Sequence, residues 1–502
     1  MEIFAKRVSK VAALMVLGVL IFPGLIRAQT PTTGVPDSIV FSPAVTTLTA
    51  SDSNRPSIRK VLSIQMNAFD ANGNPITPSA RNPINVEVYG APRGIITHKT
   101  ITGGSKFSFL YSGKTFPNNI SVNAWITDQG TNGAAIGQTQ LLLQNPTCTF
   151  GRVNYSVPLT STVPNELQIN AAVGYLQASE ARHHLETYTI DTGSLGTLVT
   201  ASDLPTSRGV HTLAIGPAGQ GVKCYDSSNK AFFGNYYLAP VDIQVTSSGR
   251  TTTTVQTNPL VVLAVNKLCD VDSCDQLDTA TNCTTDPEIH YMGVGFDRPI
   301  SAAGDLFNGP TANAFLHLTN AKNGTNIGPG YILSKNGGVT LGIKSTSAYK
   351  TIDLTPNASI LGDWNAQSAC YSFPDLPTPN QFCGTGLLDV GISEMFIDLP
   401  FAQRPSGTFD SNNEVPADLT MNVLMGSSTA NPAASYTYTT VQPPTSPSGG
   451  APTYSRWIDD SNIFVNTGRN PLNCYNYLYA GQCGQVGFQK VTPSPTGCSS
   501  AN

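Results

Sequence analysis

Residues 188–199 read YTIDTGSLGTLV. Apolar side chains lead to Asp191, and Thr192, Gly193 and Ser194 then place small hydrogen-bonding groups around it before an apolar exit. A carboxylate carried toward a core costs free energy unless it is partnered. Glycine lets the chain turn tightly enough for backbone N–H groups to approach the acid, and the two hydroxyls can donate to it or fix the loop. About two hundred residues later, 384–400 read GTGLLDVGISEMFIDLP, where two leucines lead into Asp389, followed by Val390, Gly391, Ile392 and Ser393. An apolar approach, Asp-x-Gly and an apolar exit thus occur once in each half of one region. This duplication predicts two lobes, each giving one Asp to a central cleft.

The composition narrows the setting. Charged residues make up 12% of the chain, well under the ~25% of an average soluble domain. The formal charge of -4 gives no basic footprint, so nucleic acid is not expected as a partner. The first residues carry Lys6, Arg7 and Lys10 ahead of an apolar run from Val11 to Ile26, with a cleavage point after Ala28. This pattern predicts a signal peptide over 1–28 and a secreted, periplasmic or cell-surface mature chain. The competing reading, a retained anchor, has a core shorter than the ~20 residues a spanning helix needs. No later segment is expected to span a membrane. Ten Cys, from Cys148 to Cys498, favour disulfides in an exported chain. A length of 502 residues predicts more than one domain.

Residues 29–146 contain no Cys and read as short strands. VLSIQMNA (61–68) alternates, with Leu62, Ile64, Met66 and Ala68 on one face. DANGNP (70–75) follows, with Asn72-Gly73 expected as a tight hairpin turn. INVEVYG, KFSFLYSG and ISVNAWITD alternate in the same way, which predicts an antiparallel β-sandwich. The stretch AFDANGNP resembles bacterial immunoglobulin-like repeats of surface proteins. That resemblance implies a spacer or docking module that could hold a surface or envelope partner; a zymogen propeptide is the weaker alternative.

From LQNPTCTFG (143–151) onward the chain remains β-rich and contains the two Asp loops. This region resembles the pepsin-like aspartic proteases, with further motifs in the expected order. KCYDSSNKAFFGNYYLAPVDI (223–243) is similar to the family's flap hairpin, with Tyr225 placed to cover substrate. HYMGVGFDR (290–298) resembles the segment ending the first lobe's core, and PGYILSKNGGVTLGI (329–343) the start of the second. SRWIDDSNIFVNTGRNPLNCYNYLYAGQCGQVGF (455–488) resembles the closing strands. The resemblance implies an all-β, bilobal acid protease fold over 147–502, with lobe one about 147–300 and lobe two about 301–502. It implies Asp191 and Asp389 as catalytic residues acting on polypeptide, with Tyr225, Gly193 and Gly391 against the substrate. Thr192, Ser194 and Ser393 become supporting residues, and no metal or cofactor is called for.

The second loop departs from the family pattern. Val390 stands where a Thr or Ser links the two loops, and Ile392 where another hydroxyl flanks the carboxylate, with Ser393 one place late. Fewer donors should raise the pKa of Asp389. The alternative to a working endopeptidase is therefore a non-catalytic pepsin-like protein with a binding or structural role in the envelope. A glycoside hydrolase also uses two carboxylates, but it would leave the paired Asp-x-Gly loops unexplained. His183 and His184 are expected on a solvated strand edge. The acidic loop CDVDSCDQLD (269–278) reads as disulfide-tied in preference to a calcium site, since it lacks the glycine and terminal Glu of an EF-hand loop. Local spacing suggests Cys269 with Cys274 or Cys283, Cys370 with Cys383, and Cys474 with Cys483.

Overall fold

The computed structural model describes residues 38–42, 58–142 and 150–498, less the segments 114–118, 127–134, 176–180, 206–212, 216–220, 319–326, 407–413, 427–430 and 442–451 and scattered shorter gaps. The leader expected over 1–28 lies outside the described residues, as does most of the proline-rich loop 443–453. The fold is all-β: the helical elements whose bounds fall among the described residues are 3-10 turns of three or four residues. No described helix is long and apolar enough to cross a membrane.

Two antiparallel sheets form the N-terminal part. In one, Ile58–Phe69 pairs with Ser38–Ser42, Pro75–Ile76 and Lys106–Gly113. In the other, the order is Gly94–Ile101, Ile84–Gly90, Asn119–Ile126, Ala135–Leu142. Ile64, Met66 and Ala68 are buried while Gln65 is exposed, the alternation that a one-faced strand requires. Gly73 of the expected Asn72-Gly73 turn lies outside the described residues. Phe69 pairs with Pro75, and the Asp70 carboxylate accepts from the N–H groups of Asn72 (2.9 Å) and Asn74 (2.8 Å).

Beyond residue 150 one pairing scheme occurs twice. In the first half, Glu186–Asp191 runs parallel to His290–Val294, which pairs antiparallel with Leu195–Thr200. Leu195–Thr200 in turn runs parallel to Leu260–Asp270. In the second half, Gln381–Leu387 runs parallel to Phe464–Asn466, which pairs antiparallel with Met395–Asp398. Met395–Asp398 then runs parallel to Ser455–Ile458. In each half, therefore, the strand entering the Asp loop and the strand leaving it straddle a third strand. All six residues of Leu195–Thr200 are buried, as expected for a strand covered on both faces.

Further strands extend the sheet of the first half. Lys350–Asp353, Gln485–Lys490, Tyr475–Ala480, Tyr331–Ser334, Gly338–Leu341 and Tyr155–Val157 pair in that order, and the last also meets Val241–Ser247. Tyr331, Tyr477, Tyr479, Phe315 and Phe488 fill the core beside them. The Tyr331 hydroxyl donates to the Val294 carbonyl at 2.8 Å, fixing these strands to the strand beside Asp191.

Disulfides join Cys224–Cys274, Cys269–Cys283, Cys370–Cys383 and Cys474–Cys498. The third is the expected pair, two residues directly opposite in register, and the second is one of the two alternatives for Cys269. The pairing Cys474–Cys483 is not found, for a geometric reason. Strands Tyr475–Ala480 and Gln485–Lys490 form a hairpin with Cys483 in its turn and Cys474 at its open end. Six strand residues at ~3.4 Å each separate them, whereas Cys498 returns beside Cys474. His183 and His184 lie in a turn ahead of Glu186–Asp191 and not on the strand itself, and His184 stacks on Tyr175 at 4.7 Å.

Candidate active site

Asp191 ends its strand and Asp389 follows two residues after Gln381–Leu387, and each is caught by the N–H two residues later. Gly193 N–H donates to Asp191 Oδ1 at 2.6 Å, and Gly391 N–H donates to Asp389 Oδ1 at 3.0 Å. The two loops meet face to face, so each carboxyl group lies over the glycine of the opposite loop. A methyl group at Gly193 would collide with the Asp389 carboxyl, and one at Gly391 would meet Asp191 Oδ1 at 2.5 Å. This close approach is what glycine permits here. Asp191 and Asp389 are buried at 5% and 7% exposure and lie within hydrogen-bond reach of one another. Burial, then the facing Asp191 charge and the hydrogen bond with Asp191, hold the Asp389 carboxyl well above the usual carboxylate range. The N–H groups of Asn466 and Gly391 oppose that rise without cancelling it.

Thr192 joins the loops. Its hydroxyl donates to the Leu388 carbonyl at 2.5 Å and accepts from Val390 N–H at 3.0 Å. Val390 is fully buried and supplies no reciprocal hydroxyl, so the Thr192 side chain alone makes this cross-lobe link. Thr192→Val is expected to lower unfolding free energy by about 3 kcal/mol, since two buried backbone groups lose their partner. Urea unfolding checks it.

The donors missing from the second loop come from elsewhere. Asn466 Nδ2 donates to Asp389 Oδ2 at 2.8 Å, and the Tyr291 hydroxyl donates to Asp191 Oδ2 at 2.7 Å. Sequence reading assigned neither residue a role. Their positions correspond: Asp191 pairs with Gly293, two residues after Tyr291. The register Leu387 with Asn466 carries Asp389 to Gly468, two residues after Asn466. The signal was present as Tyr-x-Gly at 291–293 and Asn-x-Gly at 466–468, the latter placing a polar side chain after the apolar run IFV. Burial and the nearby Asp191 charge push the Tyr291 hydroxyl upward, so it remains a donor throughout the acid and neutral range.

Tyr225 ends Gly221–Tyr225, which forms a hairpin with Lys230–Ala239. Its ring centroid lies 5.8 Å from that of Tyr291 and 5.6 Å from that of Phe232. The hydroxyl is buried toward Ser194, whose own hydroxyl is buried, and neither makes a hydrogen bond of good geometry. Asp191 thus takes its side-chain donor from Tyr291. Ser393 does not touch Asp389; its N–H donates to Glu394 Oε2 at 3.1 Å and its hydroxyl accepts from Thr453 at 3.3 Å. The Cys224–Cys274 disulfide fastens the hairpin to the loop after Leu260–Asp270. Cys224, Asp226 and Cys274 converge, but both sulfurs are spent in that disulfide and offer no thiolate to a metal.

Two carboxyls in this arrangement, one holding a proton against the charge of the other, can act as acid and base at one pH. No protein-family model matches the chain, and no curated protein matches it. Among solved structures, the chain is similar to the aspartic proteinase from Irpex lacteus, with 14% identity over 68% of this chain and 98% of that one and a TM-score of 0.39.

Proposed function

We propose that the protein is an aspartic endopeptidase working at acid pH, with the pepsin-like bilobal arrangement over 147–502. The observation that carries this reading is the reciprocal seating of Asp191 and Asp389 over each other's glycines, with burial raising the Asp389 carboxyl above the usual carboxylate range. In the reaction, the carboxylate of the pair takes a proton from a water that attacks the peptide carbonyl carbon, while the carboxylic acid protonates the carbonyl oxygen. Collapse of the tetrahedral diol breaks the C–N bond: the proton held by the base goes to the leaving amine, and one diol hydroxyl returns its proton to the former acid as the C=O bond reforms. The pair ends with one proton, as it began. Tyr225 covers the substrate from the hairpin, and Gly193 and Gly391 border the scissile bond.

The test is cleavage of denatured protein between about pH 3 and 6, with inhibition by a statine-type transition-state analogue. No cleavage by the folded protein would favour the second reading, a binding or envelope protein, which Val390 motivates. Two residues tune the proposed chemistry. Tyr291→Phe is expected to lower kcat by roughly 10- to 100-fold, the loss of one charge-assisted hydrogen bond. Asn466→Leu removes a donor that favours ionised Asp389, so the alkaline limb of the pH profile should move up. An unmoved limb would mean that Asn466 does not act on Asp389.

The leader over 1–28 and the sandwich over 29–146 complete the proposal. The chain is exported, and the immunoglobulin-like sandwich spaces or docks the catalytic part. Four disulfides among the described residues are compatible with an extracellular setting.

A further inference from the structure

A cavity of about 390 Å³ lies between Ser161, Asn165, Glu166 and Gln168 on one wall and Ser393 and Arg469 on the other. Neither Asp lines it, but its walls adjoin the dyad through the backbone. The carbonyl of Leu167, between Glu166 and Gln168, accepts from Ile190 N–H, one residue before Asp191. Arg469 N–H donates to Ile392 O at 3.0 Å. Arg469 also follows Gly468, whose N–H donates to Asn466 Oδ1, on the side chain that holds Asp389.

Arg469 is 6% exposed, and its Nε and Nη1 are enclosed without an acceptor. The charges of Glu166, Glu394 and Asp389 act on it, the first most strongly, but no ion pair of the described residues includes it. The remaining edge of Arg469 lines the cavity, and a cation so buried without an ion pair favours an acceptor there. Glu166 stands on the opposite wall, with Oε2 accepting from the Thr189 hydroxyl at 3.2 Å. The cavity therefore presents one buried positive group and one exposed negative group that do not neutralise each other by contact.

We infer that this cavity is a subsite for a substrate side chain ending in a carboxamide, glutamine or asparagine, with its carbonyl oxygen toward Arg469 and its NH2 toward Glu166. The inference rests on the endopeptidase reading and names the substrate class for that same cleft. The chemistry discriminates on three sides. A carboxylate brings like charge to Glu166, an ammonium brings like charge to Arg469, and a hydrocarbon leaves both charges unanswered.

The experiment uses the full chain at about pH 5.5, where a peptide glutamate is ionised. Peptides carry Gln, Glu, Lys or Leu at each position flanking one scissile bond, and each is also made with an uncleavable reduced amide. At one position the Gln peptide should exceed the other three by about tenfold or more in kcat/KM, and its uncleavable form should bind correspondingly tighter by fluorescence anisotropy. Glu166→Gln should restore the Glu peptide, and Arg469→Met should remove the advantage of Gln over Leu. Tighter binding of Gln peptides without cleavage would leave the subsite standing and sink the hydrolytic reading. Cleavage or binding with no preference for Gln at any position in the wild-type chain overturns the subsite, whatever the variants do.

Discussion

Asp191→Asn is expected to lower peptide hydrolysis by roughly 10²- to 10⁴-fold, the usual contribution of a positioned proton-transfer group. The substitution keeps shape. An amide oxygen at the Oδ1 position still accepts from Gly193 N–H, and the Tyr291 hydroxyl, which donates to Oδ2 in the native chain, can rotate to accept from the new NH2. What is lost is a site able to take the proton of the attacking water. Far-UV circular dichroism and the urea midpoint should stay close to those of the parent chain while turnover of a fluorogenic peptide collapses. Asp389→Asn should do the same by removing the acid. Turnover within tenfold of the parent chain in either variant would place the chemistry elsewhere.

A second large effect is expected in stability. Asp242 is fully buried, with Gln256 on Oδ2 at 3.1 Å and no partner on Oδ1. Burial pushes its carboxyl up to about 7, against a smaller opposing effect of Gln256. Asp363, at 2% exposure, is pushed by burial up to about 6, partly offset by the N–H groups of Trp364 and Asp297. Asp389 is raised as well. In the unfolded chain such groups release their protons near 3.8, so between pH 4 and 7 the folded state binds more protons than the unfolded one. The stabilisation from these carboxyls is complete below about pH 4 and is lost as pH rises through 6 to 7. Asp242 and Asp363 each account for roughly 3–4 kcal/mol, a large share of the ~5–15 kcal/mol by which a domain is stable. The urea midpoint should therefore fall steadily from pH 4 to pH 8, and less steeply in Asp242→Asn. A midpoint that rises or stays level over that range would contradict the burial argument.

The parts of the fold legible in the sequence are those set by local pattern. Ile64, Met66 and Ala68 announce a one-faced strand because side chains alternate at period two, and the structure buries those three. The paired Asp-x-Gly loops are legible because a tight turn over a carboxylate needs glycine at one offset. Neighbours fixed by register between distant strands are not legible. Tyr291 reaches Asp191 only because Thr189 pairs with Tyr291, and Asn466 reaches Asp389 only because Leu387 pairs with Asn466. Sequence alone, seeing Val390 and Ile392, therefore counts donors lost and misses donors gained. Arg469 was invisible for a related reason: nothing local distinguishes an arginine buried beside a cavity from one in solvent. Cys474 shows the same limit, since local spacing favours Cys483 while the hairpin holds the two at opposite ends.

The proposed function requires Asp191 and Asp389 to keep one proton between them. The pH dependence of kcat/KM for a single peptide, from pH 2 to pH 8, addresses that directly. One proton lost on each limb, with a maximum below neutrality, is the expected profile. A rate that climbs through pH 7, or a profile with no acid limb, would mean that Asp191 and Asp389 do not share the proton.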